Sequence, residues 1–196
     1  MKKLLIKTTV IPLLFLTSIH AGPFGLEMGM KLNEIDREAE EIAAGVYLVD
    51  VPQPHSSFEK YAIRISPTLG LYYIKAIGKD ISTSSYGLEL KSEFTEMKEK
   101  LQMGYGEGDE LDYLLPGSIW NEPRDYMMAL IKNERTLAHL WGETDGSKPA
   151  LKNSIIAIAL VAKATKADTG YISIEYYFEN HSTAEKEAEA AEDSAL

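Results

Sequence analysis

The chain has no cysteine, only four histidines and two tryptophans, and 20 basic residues against 30 acidic ones. Without cysteine there is no disulfide framework and no thiolate metal site, so an ordinary hydrophobic core must hold the fold. Lipid attachment at a cleavage site also requires a cysteine, so no lipid anchor is expected. The net charge of −10 repels phosphate backbones and anionic membranes, and the lysines and arginines are scattered singly among acids. Nucleic acid is not an expected partner. Long apolar runs are also missing: Val10 to Leu16 falls far short of the roughly 20 residues a membrane span needs. The expectation is no transmembrane segment in the mature protein.

What the first residues do contain is ordered. Lys2, Lys3 and Lys7 make a positive end, Val10 to Leu16 an apolar centre, and Ser18-Ile19-His20-Ala21 a small-residue cleavage site. That order reads as a secretory signal peptide, residues 1–21, cut after Ala21. The protein is expected to be exported, and then periplasmic or secreted. Loss of three lysines with the leader brings the charge to about −13. With 45% hydrophobic and 26% charged residues, the remainder has a globular composition. It reads as one domain over 22–182, or two lobes at about 22–104 and 105–182, followed by an acidic alanine- and glutamate-rich tail at 183–196.

Periodicity supplies the elements. Phe24 to Met28 reads as an edge strand, and Leu32, Ile35, Ala39 and Ile42 as one face of a helix closed by Gly45. Val46 to Val51 reads as a strand stopped by Pro52 and Pro54. Tyr61, Ile63 and Ile65 alternate with Ala62, Arg64 and Ser66, and Ser66 to Gly70 has turn chemistry before the partner strand Leu71 to Lys79. Leu90, Phe94, Met97 and Leu101 mark an amphipathic helix that exits through the glycines of Met103 to Glu110. Asn121 and Pro123 suit a second helix start. Strands then follow at Arg135 to Glu143, Ser154 to Ala164 and Tyr171 to Phe178, the middle one nearly all apolar and so covered on both faces. The tail reads as a solvated helix or a frayed end. The fold class is α+β: mainly antiparallel sheet with helices on one face, and a helix-then-strands order occurring twice.

Four stretches carry a resemblance: FGLEMGM (Phe24 to Met30), YGLELKSEF (Tyr86 to Phe94), GSIWNEP (Gly117 to Pro123) and GYISIEYYF (Gly170 to Phe178). Through them the chain resembles an uncharacterised exported bacterial family with FGLxxGM, YGxELKxxF, GSIWxEP and GYIxxxYxF motifs. Its opening, Phe24 to Ile35, is also similar to the entry of outer-membrane assembly lipoproteins of the SmpA/OmlA type and of β-lactamase-inhibitor-like α+β domains. The lipidated cysteine of the assembly lipoproteins is absent, and Lys31 stands where they place a serine cap. The resemblance implies export and an α+β fold, and it implies no activity.

Candidate chemistry is sparse. His20 leaves with the leader, and His55, His139 and His181 lack metal-ligand spacing. No GxSxG elbow frames a serine nucleophile. Gly104 to Asp112 (GYGEGDELD) follows a helix, so it reads as a glycine-rich helix exit and not a phosphate loop. Thr144 to Ser147 (TDGS) is a turn with a single acid, not a calcium site. No catalytic, cofactor-binding or metal residue is assigned. The most distinctive segment is GSIWNEPRDYMM, where Trp120 either staples onto the helix it introduces or contacts a partner. Trp120, Glu122 and Trp141 are the candidate partner-binding residues. Tyr72, Tyr73, Tyr171, Tyr176 and Tyr177 either line a groove or cap a sheet face. The leading expectation is a non-enzymatic protein that binds a protein or a cell-envelope component. The alternatives are a small envelope hydrolase assembled in three dimensions, or a hydrophobic-ligand carrier.

Overall fold

The computed structural model describes residues 22–145 and 147–194, so the expected signal peptide and cleavage after Ala21 lie outside the described residues, as does Gly146 in the turn read at Thr144 to Ser147. The strands are β1 (Glu40–Ala43), β2 (Val46–Val49), β3 (Phe58–Ser66), β4 (Gly70–Gly78), β5 (Ile81–Ser82), β6 (Asp109–Leu114), β7 (Arg135–Gly142), β8 (Ile155–Lys166) and β9 (Thr169–Phe178). The helices are α1 (Leu32–Ile35), α2 (Leu88–Tyr105), α3 (Tyr126–Ile131) and α4 (His181–Asp193). The fold is α+β, and every strand pairing is antiparallel.

The strand order is β1-β2-β3-β4-β9-β8-β7-β6, with β5 added beside β9. Two four-stranded meanders therefore meet through their last strands, Ile74 opposite Tyr176 and Ala76 opposite Ile174. That junction makes one sheet of the two halves, and their apolar side chains share one core. Between sheet and helices the core is filled. Leu90, Phe94, Met97 and Leu101 of α2 are buried against a floor that includes Ile158, Leu160, Ile172 and Ile174. Burying each of these side chains contributes about 1.5–3 kcal/mol, which fixes α2 on this face. No helix among the described residues is long and apolar enough to cross a membrane.

Several local expectations are corrected. Phe24 to Met28 is not a strand: Pro23–Gly25 forms a 3-10 turn. Phe24 lies 4.8 Å from the Tyr61 ring and 5.7 Å from Phe58, and Leu26 is fully buried, so this segment plugs the core. The helix begun at Leu32 ends at Ile35 rather than running to Ile42. The Asp36 carboxylate explains the stop, because it accepts the backbone N–H groups of Glu38 and Asp50, both at 2.9 Å. A short acidic side chain that bonds the backbone this way competes with the helix. Gly45 does adopt a left-handed conformation (φ 69°), but in the turn between β1 and β2.

Asn121 caps nothing; a 3-10 turn at Pro123–Asp125 leads into α3. Asp109–Leu114, read as part of a helix exit, is the edge strand β6. Its acids hid it, and they are paired: Glu110 with Lys98 and Asp112 with Arg135, both at 2.6 Å. The acidic tail is the ordered helix α4.

Candidate functional site

Side chains alternate across a strand, so the register divides the sheet into two faces. Ile63, Ile74, Ile174, Tyr176, Ile158, Leu160, Leu137 and Trp141 share one face, which α2 and α3 cover over β7 to β9 and Phe24 covers at Tyr61 and Tyr176. The expectation of helices on one face holds for these two helices. The α4 helix departs from it: it lies at the β3–β4 end, with Arg64, Tyr73 and Tyr177 of the opposite face.

Among the described residues, no helix packs on that opposite face across β6 to β8. There it presents Ala138 and Leu140 of β7 and Ala159 and Val161 of β8, with Tyr171 of β9 beyond. Along the edge, Leu111 and Tyr113 of β6 are 38% and 49% exposed, and Leu115 just past it 43%. Spaced two residues apart, they form a row at steps of about 7 Å. Ile119 in the following loop is 75% exposed. These side chains form an exposed apolar row at the margin of the sheet face that no helix covers.

The polar residues nearest this face are bound to one another. The Tyr177 hydroxyl donates to Glu175 at 2.7 Å, and Lys75 pairs with the same carboxylate at 2.8 Å. Burial alone would raise the Glu175 carboxyl, but the Lys75 and Tyr177 contacts outweigh it and hold the group below its ordinary value. Burial pushes the Tyr73 and Tyr177 hydroxyls up, so both phenols stay protonated. Such a cluster is a structural tie, without a poised acid or nucleophile.

His139 is the buried polar residue of greatest interest, at 3% exposure. Its ring packs 4.4 Å from the Trp141 ring, and neither ring nitrogen has a hydrogen-bond partner among the described residues. The nearest acid is Glu110, 3.9 Å from Nδ1, and Lys98, Asp109 and Glu107 also face the ring. Burial, reinforced by Lys98, lowers its pKa from the ordinary 6.5, while the three acids oppose the shift. The native state thus takes up this proton less readily than the unfolded chain. Stability should be at its full value above about pH 6.5 and decline as the pH falls below it. Urea unfolding between pH 7.5 and 5 should show this decline, and His139→Leu should flatten it. An unchanged slope in the variant would assign the dependence to other groups.

Trp141 is 1% exposed, and its indole N–H donates to the Gly106 carbonyl at 2.8 Å. It is a core residue and offers no surface to a partner, which corrects its place among the candidates. Trp120 is half-buried and Glu122 exposed, in the loop between β6 and α3. Trp120 does not belong to the core or to the residues packed on it. Of the five tyrosines, Tyr72 and Tyr176 are buried, while Tyr73, Tyr171 and Tyr177 are half-buried on the opposite face. His55 is exposed in its loop, and its backbone N–H donates to the Tyr61 hydroxyl.

Two surface depressions stand out. One of about 130 Å³ lies where Asn133, Arg135, Val161 and Lys163 meet; the other, of about 320 Å³, lies along Asp36, Glu38, Glu40, Asp50 and Glu59. Neither includes a histidine. No group of three or more His, Asp or Glu side chains among the described residues is arranged to hold a metal ion. The row Leu111, Tyr113 and Leu115 was missed in the sequence, although its two-residue alternation with Glu110, Asp112 and Leu114 was the available signal.

Fold and site together define a class: a single-sheet antiparallel α+β protein with one face packed on helices and most of the other open. Compared with protein-family models, curated proteins and solved structures, the chain matches none.

Proposed function

We propose that this is an exported, non-enzymatic binding protein that docks a protein partner on the open sheet face. The observation that carries the reading is the exposed row Leu111, Tyr113 and Leu115, with Ala138 opposite Leu111, Val161 next beyond Ala138, and Thr136 opposite Tyr113. Tyrosine and apolar side chains on a rigid sheet lose little entropy on contact, and aromatic anchors concentrate binding energy. The charge of the chain favours a neutral or cationic partner surface and disfavours an anionic membrane. The four sequence motifs and the leader support export, and Trp120 and Glu122 sit in the loop that continues from this edge.

The alternatives draw less support. A hydrolase needs convergent polar groups in a cleft, whereas His139 is enclosed and His55 stands alone in a loop. A carrier holding ligand between sheet and helices needs space that Leu90, Phe94, Met97 and Trp141 occupy.

The test is capture from native envelope extracts with the full mature chain and with Leu111→Glu/Tyr113→Glu. Wild type should retain a defined protein, and the double variant should retain at least tenfold less while melting within a few degrees of wild type. Both positions are well exposed, so their substitution leaves the core intact. Equal capture by the two chains, or repeated capture of nothing, would sink the reading.

A further inference from the structure

The terminal helix α4 is held to the sheet in an unusual way. Only Ala184 is buried, and residues 188–194 are exposed on every side. Its first two turns are attached by polar contacts. Arg64 pairs with Glu185 at 2.6 Å, and the hydroxyls of Ser66 and Thr68 donate to Glu187 at 2.8 and 2.5 Å. The His181 ring stands 5.0 Å from Tyr177 and 5.7 Å from Tyr72. Just before the helix, the Asn180 amide donates to the carbonyls of Leu69 and Leu71.

The helix has little to sustain it away from these contacts. At 13 residues it is marginal on its own. No side chain caps its start, and it has no acid in its first turn and no base in its last. Glu185, Glu189 and Asp193 follow one another at four-residue spacing, so like charges stack along one side. Acids at the C-terminal end also oppose the helix dipole.

We infer that α4 is a releasable strap that closes the β3–β4 end of the open face. Docked, it occupies Arg64 and the Ser66 and Thr68 hydroxyls and sets the His181 ring edge-on against Tyr72 and Tyr177. Released, it uncovers Arg64, Tyr73 and Tyr177, which share their face with Tyr171, Ala159 and Val161. The docking area then extends across β9 into β4 and β3. The regulatory meaning of the strap rests on the docking reading above, whereas its release is independent of any partner.

Hydrogen–deuterium exchange on the full chain tests the release, using Glu185→Ala/Glu187→Ala. Alanine is the stronger helix former, so faster exchange in this variant reports undocking and not a weakened helix. The amides of α4 should exchange at least tenfold faster than in wild type, with those of β8 and β9 unchanged. Fluorescence of added anilinonaphthalene sulfonate, an anionic apolar dye, should at least double as Arg64 and the tyrosines open. Unchanged or slower exchange of α4, a parallel loss of protection in β8 and β9, or dye fluorescence at the wild-type level overturns the proposal. A failed capture experiment with these results in place would remove the docking reading and leave the strap.

Discussion

Trp141→Ala is expected to destabilise the protein by about 3–5 kcal/mol, the range for removing a buried large aromatic side chain. The indole is fully enclosed, packs on His139, and ties β7 to the end of α2 through the Gly106 carbonyl. Alanine leaves a cavity that His139 and the α2 residues cannot fill without leaving their own contacts. It also removes the indole hydrogen bond to the Gly106 carbonyl, at the point where the chain leaves α2 for β6. For a domain of this size the loss corresponds to a fall in Tm of roughly 6–20 °C. Urea or thermal unfolding measures it directly. A loss under about 1 kcal/mol would show that the indole is not the wedge between α2 and β7.

Gly70→Ala should cost about 2–4 kcal/mol, far more than the same change at Gly45. Both glycines are left-handed, with φ of 73° and 69°, and that conformation alone costs an L-residue roughly 1–2 kcal/mol. They differ in what a side chain would meet. A Cβ on Gly70 would lie 2.1 Å from the Gly29 carbonyl oxygen and 2.8 Å from that of Met30, both backbone atoms. On Gly45 the nearest neighbour, the Ile65 carbonyl oxygen, would be 3.5 Å away, which is ordinary contact. Relief at Gly70 requires the segment Gly29–Met30 to retreat from β4. That breaks two hydrogen bonds, Gly29 N–H to the Leu71 carbonyl at 2.9 Å and Leu71 N–H to the Met30 carbonyl at 2.8 Å. At about 1 kcal/mol each, these account for the excess. Denaturant midpoints of the two variants, measured side by side, check the comparison, and equal losses would refute it.

Much of the architecture was legible because burial is periodic. The β3–β4 hairpin, α2 and β9 follow runs in which period 2 or 3.6 is clear, whereas β8 was legible as a nearly all-apolar run, which hid that its Ala159 and Val161 face is not covered by a helix. Misreadings arose where a side chain bonded its own backbone, as at Asp36, or where charge masked a strand, as in Asp109–Leu114. The tail is a helix with an exposed outer half, in line with the reading of a solvated helix, and only its docking went unread. Its residues carry almost no apolar stripe, and the ties that order it reach 121 residues back, to Arg64 and Ser66.

The candidate site was legible only in fragments. Trp120 and Glu122 were singled out by residue type, and they do lie in the loop after β6. Trp141 was singled out by the same reasoning and is enclosed. Residue type alone does not distinguish an anchor for a partner from a wedge in the core, because both uses favour a large aromatic. The row Leu111, Tyr113 and Leu115 gained its meaning from its position at the margin of an uncovered sheet.

By itself, the sequence determined the α+β class, the two-residue alternation in the β3–β4 hairpin and β9, the absence of disulfides, and the need for glycine at Gly45 and Gly70. Those follow from local steric rules and from the pattern of apolar side chains, which act over a few residues. Tertiary structure alone decided that the two meanders join through β4 and β9, which face the helices cover, and where α4 docks. It also decided that Gly70, unlike Gly45, has backbone against it. Each of these depends on which distant segment arrives beside a residue, and no short-range pattern carries that information.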